Sequence, residues 1–194
     1  QAVRKKIILS TLAYVAGFDH ESVILTADDH AGGAEGDLPE AASDAFETDV
    51  RATRLIFSVQ PEGAGSGKPF TVVPVVSGVD ADGVVDADFD DTITLSVSGP
   101  GSISNGSRQA SSGSASFTEL SYQAISDGET FTLTADDLPT GSEGNLPAVT
   151  SIQVRGDIVA TRLEFLVQPG GVVSGQAMLV QPVLVARGAN GIVD

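Results

Sequence analysis

The sequence lacks cysteine and tryptophan, contains one methionine and has few aromatic side chains, which make up 5% of its 194 residues. Without cysteine, the chain cannot form a disulfide framework, a thiolate zinc site or a cysteine nucleophile. Basic residues are scarce as well, because 10 lysines and arginines stand against 26 aspartates and glutamates, for a formal net charge of −16. This charge repels phosphates and anionic lipid headgroups, which excludes nucleic acid and acidic membrane surfaces as partners.

Long hydrophobic runs are also missing, since no stretch approaches the ~20 apolar residues of a membrane-spanning helix. We therefore expect no membrane insertion. Hydrophobic residues still make up 41% of the chain, enough to bury a core and to argue against global disorder. Residues 7–17 are apolar and follow Arg4, Lys5 and Lys6, so this stretch is similar to a secretory signal peptide. It has no clear cleavage site, and an internal repeat explains it better.

The strongest feature of the sequence is a repeat at an offset of 108 residues. At this offset 37 of the 86 aligned positions are identical. The sequence ATRLIFSVQP at 52–61 recurs as ATRLEFLVQP at 160–169, and LTADD at 25–29 recurs at 133–137. Such a repeat indicates tandem copies of one structural unit.

The phase of the repeat divides the chain into one complete and two partial units. Residues 52–159 form a complete repeat, residues 1–51 match its C-terminal half, and residues 160–194 match its N-terminal part. Two complete repeats would need 22 more residues, the equivalents of 87–108. Because a half unit exposes strand edges and half a core, we expect one of two arrangements. Either the sequence is an excerpt from a longer array, or neighbouring subunits complete each other's partial units.

Inside the complete repeat, apolar residues follow the two-residue period of β-strands. Leu55, Phe57 and Val59 alternate with positions that the second copy changes, which marks these three as the core face. Further strands are predicted over residues 70–77, 92–98 (with Ile93, Leu95 and Val97 on one face), 115–120, 130–135 (with Phe131 and Leu133) and 151–154. Glycine-rich and Asp-Gly or Asn-Gly breakers separate them. The pattern predicts an all-β fold of antiparallel β-sandwiches with Greek-key connections.

The order of these motifs resembles the tandem bacterial immunoglobulin-like repeats of large secreted and cell-surface proteins. The motifs that carry the resemblance are A-T-x-L-x-F-x-V-Q-P at 52–61, V-D-A-D-G at 79–83, D-T-I-T-L at 91–95, A-S-F-x-x-L at 115–120 and D-G-x-x-F-T-L-T-A at 127–135. The resemblance covers essentially the whole chain, with Phe131 where such repeats often have tyrosine. It implies immunoglobulin-like sandwiches without catalysis, acting as spacers, adhesin stalks or filament subunits.

One group of candidate calcium ligands lies in the most acidic stretch of the chain. Calcium takes six to eight oxygen ligands from flexible loops, and Asp80, Asp82, Asp86 and Asp88 can supply several of them. The stretch is not an EF-hand, because the third aspartate and the terminal glutamate are missing. The alternative is a tight hairpin turn at residues 82–83.

A second candidate group consists of Asp136, Asp137 and Glu143, whose equivalents at positions 28, 29 and 35 are also acidic. A loop between the last two strands reaches the end of a sandwich where the next unit docks, so these carboxylates can hold an interdomain cation. They fit equally well at solvated loop tips with Asx-turns. Arg54 and Arg162, which both copies retain near the junctions, are alternative partners for these acids and would fix an interdomain angle.

Other motifs give little support to catalysis. His20 and His30 are the only histidines, and their equivalents are Gly128 and Leu138, which argues against a catalytic or zinc role. No Gly-x-Ser-x-Gly elbow is present. Asn105 begins a glycosylation sequon on a predicted turn. We therefore expect no enzymatic activity and no cofactor, with calcium as the one candidate ion.

The sequence thus predicts a noncatalytic structural module of an extracellular or cell-surface microbial protein, a building block of a stalk or filament. A sharper form of this hypothesis is polymerisation by strand addition, in which residues 160–194 of one subunit complete residues 1–51 of the next. The expected partners are other copies of the chain or adjacent repeats. The alternative is an adhesin-type module that binds a carbohydrate or surface receptor with calcium, although the few aromatic residues argue against sugar stacking.

Overall fold

The computed structural model describes residues 8–29, 32–34, 36–139 and 141–194. The predictions for residues 4–6, His30 and Glu35 fall outside these ranges. Regular secondary structure in the described ranges is entirely β, and they contain no helix long and apolar enough to cross a membrane. We refer to residues 1–51 as the N-terminal segment, to 52–159 as the central segment and to 160–194 as the C-terminal segment.

The strands of the two outer segments form antiparallel pairs. In the N-terminal segment, β1 (Ser22–Val23) pairs with β4 (Phe46–Glu47), and β2 (Thr26–Ala27) pairs with β3 (Ala41–Ala42). In the C-terminal segment, β17 (Ala160–Val167) pairs with β18 (Val183–Gly188).

The central segment contains most of the strands. They are β5 (Arg54–Val59), β6 (Ala64–Gly65), β7 (Val75–Val79), β8 (Thr92–Val97), β9 (Ser102–Ser104), β10 (Ser107–Gln109), β11 (Ser114–Ser116), β12 (Ser121–Gln123), β13 (Thr130–Phe131), β14 (Leu133–Asp137), β15 (Val149–Thr150) and β16 (Val154–Asp157). Two antiparallel sheets have the strand orders β10-β8-β14-β15 and β11-β7-β5. Shorter ladders join β12 to β9 and β13 to β16, and β16 runs parallel to β6.

Both larger sheets contribute to one hydrophobic core. Leu55 and Val76 come from one sheet, Ile93 and Leu133 from the other, and all four belong to a single cluster of buried residues. In β8, Ile93 and Leu95 are buried while Thr94 and Ser96 are exposed, as the alternation predicts. Because burial of apolar surface is the main favourable contribution to folding, this shared core holds the sheets together. The prediction of an all-β fold with antiparallel sheets around one core, as in a β-sandwich, is confirmed.

Some predicted strands differ from the observed ones. Leu55 and Phe57 are buried as expected, but Val59 is 39% exposed because the register of β5 on β7 shifts between Phe57 and Val59. The strand predicted over residues 70–77 begins only at Val75. Upstream of it, the Phe70 amide donates to the Leu120 carbonyl, outside any ladder. Hydrogen-bond partners, and not apolar character alone, set these strand bounds.

The remaining differences are interruptions of predicted strands. Instead of one strand over residues 115–120, β11 ends at Ser116, and the Leu120 amide closes a turn onto the Phe117 carbonyl. Residues 151–153 separate β15 from β16. Ser151 leaves the ladder because its hydroxyl accepts the Leu133 amide at 3.0 Å and donates to the Ile152 carbonyl at 2.8 Å. A polar side chain that bonds the backbone locally competes with strand pairing.

The outer segments reproduce pairings of the central segment at positions 108 residues apart. The β1–β4, β2–β3 and β17–β18 pairs correspond to β13–β16, β14–β15 and β5–β7. Left-handed backbone conformations recur at the same spacing, in the pairs His20/Gly128, Gly36/Gly144, Gly63/Gly171, Gly67/Gly175 and Gly83/Gly191. Equivalent residues therefore adopt the same local conformation in different segments.

Candidate functional site

The aspartates that both copies retain lie at the junctions between segments. At the first junction, residues 50–52, Asp19 Oδ1 accepts the Val50 amide at 2.8 Å. On the other side of Arg51, Asp86 Oδ2 accepts the Ala52 amide, also at 2.8 Å. Val50 and Ala52 are both buried, so their amides need such acceptors. One carboxylate from each segment thus fixes the backbone on its own side of the first junction.

The second junction, residues 158–160, has the same arrangement. Asp127 accepts the Ile158 amide at 3.0 Å, and Asp194 accepts the Ala160 amide at 2.9 Å. These four residues lie 108 positions after their counterparts at the first junction. Both junctions are therefore held by equivalent pairs of carboxylate–amide hydrogen bonds.

Asp19 also bonds across the first junction. Its Oδ2 accepts the Ala87 amide of the central segment at 3.0 Å, and its side chain is 2% exposed. Burial by itself would raise the pKa of Asp19, but hydrogen bonds from the amides of Val50, Ala87 and His20, together with the charge of His20, lower the pKa overall. Asp19 is therefore an ionised acceptor that ties the N-terminal segment to the central one.

Asp86 is the buried counterpart on the central side of the first junction. Besides the Ala52 amide, it accepts the amides of Asp88 and Phe89 on Oδ1, at 2.9 and 3.1 Å. Burial is the main cause that raises the pKa of Asp86. The Ala52 and Asp88 amides lower it, and the negative charges of Glu143 and Asp19 raise it further. This candidate calcium ligand is thus already bonded to three backbone donors.

The other members of the first predicted calcium group do not converge on a common ion position. Asp80 Oδ1 accepts the amides of Asp82 and Val84, at 2.9 and 2.8 Å, and so closes the tight turn that contains Gly83. Asp82 is exposed, and Asp88 faces His20. In the described residues, no three of these four carboxylates lie within 4.8 Å of one another. The geometry at Asp80 is that of the turn alternative.

In the second predicted group, Asp137 is buried and accepts the Leu146 amide, with Oδ1 and Oδ2 at 3.1 and 3.2 Å. Asp136 is exposed. The side chain of Glu143 is 8% exposed and lies 4.0 Å from Arg51 Nη2. These three residues likewise do not form a group within 4.8 Å among the described ones.

The sequence offers Arg54 and Arg162 as alternative partners for the acids of the second predicted group. Within the described part of the chain, neither Arg54 nor Arg162 forms an ion pair, and Arg162 Nη1 donates to the Gly188 carbonyl at 3.1 Å. Arg51, which only the first copy has, is the residue that faces Glu143. The Arg162 guanidinium therefore binds the turn of its own segment, whose Gly188 carbonyl also accepts the Gly191 amide at 3.0 Å.

Sequence reasoning missed Asp91, at the start of β8. It is 8% exposed, and its Oδ2 is buried with no hydrogen-bond partner among the residues that the structure describes. Burial is the main cause that raises the pKa of Asp91, and the charges of Asp137, Glu143 and Asp90 raise it further. Asp91 begins the D-T-I-T-L motif, but the repeat includes no second copy of residues 87–108 that could mark the position as retained.

The structure also brings together Asp19, His20 and Asp88, which sequence reasoning did not group. His20 Nε2 lies 3.0 Å from Asp88 Oδ2 and 3.6 Å from Asp19 Oδ2. The hydrogen bond to Asp88 and the charges of Asp19 and Asp88 raise the pKa of His20. His20 and Asp88 are 68 residues apart in sequence, and this long-range contact depends on how the two segments meet at the first junction.

Asp28, Asp29 and Asp37 form an exposed acidic group. One carboxylate oxygen from each lies within 4.8 Å of the other two, and all three residues are on the surface. Asp29 Oδ1 accepts the Leu38 amide at 2.9 Å, as Asp137 does with Leu146. This group therefore repeats a loop closure of the central segment.

Comparison of the chain with protein-family models gives no match, and comparison with curated proteins gives none either.

Proposed function

We propose that this chain is a noncatalytic structural module of an extracellular or cell-surface protein, made of tandem immunoglobulin-like units that build a stalk or filament. The observation that carries the proposal is the repeated junction, in which equivalent aspartates accept the amides on either side of residues 51 and 159. The strand orders of the two sheets and their shared core support the Greek-key sandwich of such units.

The mechanism of such a module is mechanical. A junction of three residues leaves few rotatable bonds, and hydrogen bonds on both sides restrict them further. The bond from the Ala87 amide to Asp19 adds a direct connection between segments. Repetition of the same junction gives a constant angle between successive units, and the net charge of −16 keeps such an array soluble.

The outer segments support the sharper hypothesis that partial units are completed by a neighbour. Leu12 and Leu38 are 62% and 51% exposed, whereas their equivalents Leu120 and Leu146 are 0% and 4% exposed. In the central segment, residues 52–86 cover this half of the core. The N-terminal segment thus presents an apolar face whose equivalent is covered inside a complete unit.

Residues 160–194 carry the strand positions that would cover this face. In the central segment, the Gly67 amide donates to the Tyr122 carbonyl at 2.8 Å, and the Phe70 amide donates to the Leu120 carbonyl at 3.3 Å. The equivalents of these pairs are Gly175 with Tyr14 and Met178 with Leu12. We propose that a second copy supplies these bonds by strand addition.

The test of the stalk proposal is a distance measurement across the first junction. Since the chain has no cysteine, spin labels on Ser22→Cys and Ser96→Cys, both at exposed strand positions, report only the intended distance. We expect a narrow distance distribution that broadens in Asp19→Ala. The matched control is Asp28→Ala, an exposed aspartate away from the junction, which should leave the width unchanged. A broad distribution in the parent chain would contradict a rigid spacer.

Sedimentation at increasing concentration tests completion by a second copy. We expect reversible association that Leu12→Asp and Met178→Asp each abolish, because either change places a charge in the completed core. Leu166→Asp, at an exposed position whose equivalent Ser58 lies outside the core, is the control. A chain that stays monomeric at every concentration would contradict completion of the partial units by a second copy. In a separate experiment, saccharide binding on a glycan array would favour the adhesin alternative over a spacer.

A further inference from the structure

The first junction contains a histidine and two aspartates whose side chains face one another. His20 Nε2 lies 3.0 Å from Asp88 Oδ2 and 3.6 Å from Asp19 Oδ2. One ligand atom from each residue lies within 4.8 Å of the other two. Asp19 and His20 precede Arg51 in sequence and Asp88 follows it, so the group spans the first junction.

The separations of these atoms fit a transition-metal ion. Zinc binds imidazole nitrogen and carboxylate oxygen at about 2.0–2.2 Å, so neighbouring ligand atoms around it lie roughly 2.8–3.6 Å apart in octahedral or tetrahedral geometry. Both measured separations from His20 Nε2 fall in this range. Calcium is a poorer fit, because it takes more ligands and takes them from oxygen, whereas imidazole suits zinc, copper and nickel.

The two carboxylates have acceptor capacity left for an ion. Asp19 Oδ1 accepts the amides of Val50 and His20, which fills its two acceptor sites, but Oδ2 accepts only the Ala87 amide and keeps one free. These bonds hold the Asp19 carboxylate in place, as outer-shell hydrogen bonds do for metal ligands. The Asp88 carboxylate is 65% exposed and faces His20 alone among the described side chains.

The backbone at His20 gives a further reason to look for a role of its imidazole. Its φ is 57°, in the left-handed region that favours glycine, and the equivalent residue at the second junction is Gly128, with a φ of 70°. Glycine adopts this conformation without steric cost. Histidine is the less stable choice at this position unless its side chain contributes a contact that glycine lacks.

We propose that Asp19, His20 and Asp88 bind a divalent transition-metal ion, with Zn²⁺ as the best fit, and that the ion ties the N-terminal segment to the central segment at the first junction. Water completes the coordination, because three protein ligands leave a position open. The site is specific to the first junction, since the second has Gly128 in place of the histidine. It rests on the geometry of three side chains and does not depend on the proposed function.

The experiment is a calorimetric titration of the full chain, freed of metal with a chelator, with ZnCl₂ and separately with CaCl₂. We expect zinc binding at this site and a Tm that rises with zinc concentration, because a ligand that binds the folded state stabilises it. Calcium should give no comparable rise. His20→Gly should fold, because it reproduces the residue of the second junction, and should lower the zinc affinity at least tenfold. Asp88→Asn should weaken binding by about tenfold or more.

Asp28→Asn is the matched control, since it changes an aspartate of the exposed acidic group and should leave the zinc affinity unchanged. A parent chain without zinc binding would overturn the proposal, and so would an unchanged affinity in His20→Gly. The width of the spin-label distance distribution across the first junction distinguishes the zinc-site proposal from the stalk proposal. Zinc should narrow the distribution in the parent chain and not in His20→Gly, whereas the stalk proposal is judged by the width without metal.

Discussion

The central and outer segments contain the same strand pairs but bury them differently. Leu55 in β5 is 2% exposed, and its equivalent Leu163 in β17 is 71% exposed. Both strands pair with their partners in the same antiparallel register, and both ladders are irregular at equivalent positions, before Val59 and before Val167. Strand pairing is therefore encoded locally, whereas burial depends on the rest of the unit being present.

The comparison predicts its largest effect for one substitution made at two equivalent positions. Leu55→Ala should lower the free energy of unfolding of the central segment by about 2–5 kcal/mol, because it leaves a cavity in a packed core. Leu163→Ala should change it by less than about 0.5 kcal/mol, since the side chain is exposed. Urea unfolding followed by circular dichroism measures both. Equal losses would mean that Leu163 is covered in solution, as completion by a second copy requires.

The two tyrosines give a smaller and chemically different contrast. Tyr122 is fully buried, and its hydroxyl donates to Glu129 Oε1 at 2.5 Å and accepts the Gly101 amide at 3.2 Å. Tyr122→Phe should cost about 1–3 kcal/mol, because buried partners lose their hydrogen bonds. Tyr14, the equivalent residue, is 49% exposed, so Tyr14→Phe should cost less than about 0.5 kcal/mol.

Titration of the phenols offers an independent measurement of the same contrast. Burial first, and then the hydrogen bond to Glu129, raise the pKa of Tyr122 to about 12. The hydrogen bond to Glu21 raises the pKa of Tyr14 to a lesser extent. Ultraviolet absorbance should therefore show two steps, of which the higher disappears in Tyr122→Phe. A single step shared by both residues would contradict the difference in burial.

The sequence predicted the core where local pattern and tertiary packing agree. The alternation of Ile93 and Leu95 with polar residues placed β8 and its buried face correctly. It failed at Val59, because a bulge turns that side chain outward, and at Ser151, because its hydroxyl bonds the Leu133 amide. Neither event changes the periodicity of apolar residues, so no pattern in the sequence marks it.

The junctions were only half predictable. The repeat showed that Asp19 and Asp127 are retained, but it could not show that their acceptors face the Val50 and Ile158 amides. Those contacts join residues 31 positions apart. The same limit applies to His20. Its comparison with Gly128 showed that the repeat does not retain the histidine, but it could not show which residues His20 contacts. The repeat therefore identified the retained aspartates, whereas their hydrogen-bond partners could be identified only from the folded structure.

The smallest predicted effect concerns an acid that is buried in the central segment and exposed at the equivalent position of the N-terminal segment. Asp137 is 5% exposed, while its equivalent Asp29 lies on the surface. Burial raises the pKa of Asp137 and of Asp91, and their mutual repulsion adds to the shift at Asp91. A carboxyl group with a raised pKa binds its proton more tightly in the folded than in the unfolded chain. The contribution of these two groups to the free energy of unfolding therefore increases as the pH falls from neutral toward the ordinary aspartate value of 3.8.

Asp91→Asn tests this sign directly. The amide is neutral at every pH and so removes the cost of a buried charge and its repulsion by Asp137 and Glu143, and we expect the free energy of unfolding at neutral pH to rise by about 1 kcal/mol. The gain should shrink as the pH falls, because the aspartate of the parent chain then becomes neutral as well. Asp90→Asn, which changes an exposed neighbour, should show much smaller effects, because it removes only one of the charges that repel the Asp91 carboxylate. If Asp91→Asn destabilised the chain at neutral pH, the hydrogen bond from the Ser142 amide, which lowers the pKa of Asp91, would stabilise the ionised carboxylate by more than burial and the neighbouring charges destabilise it.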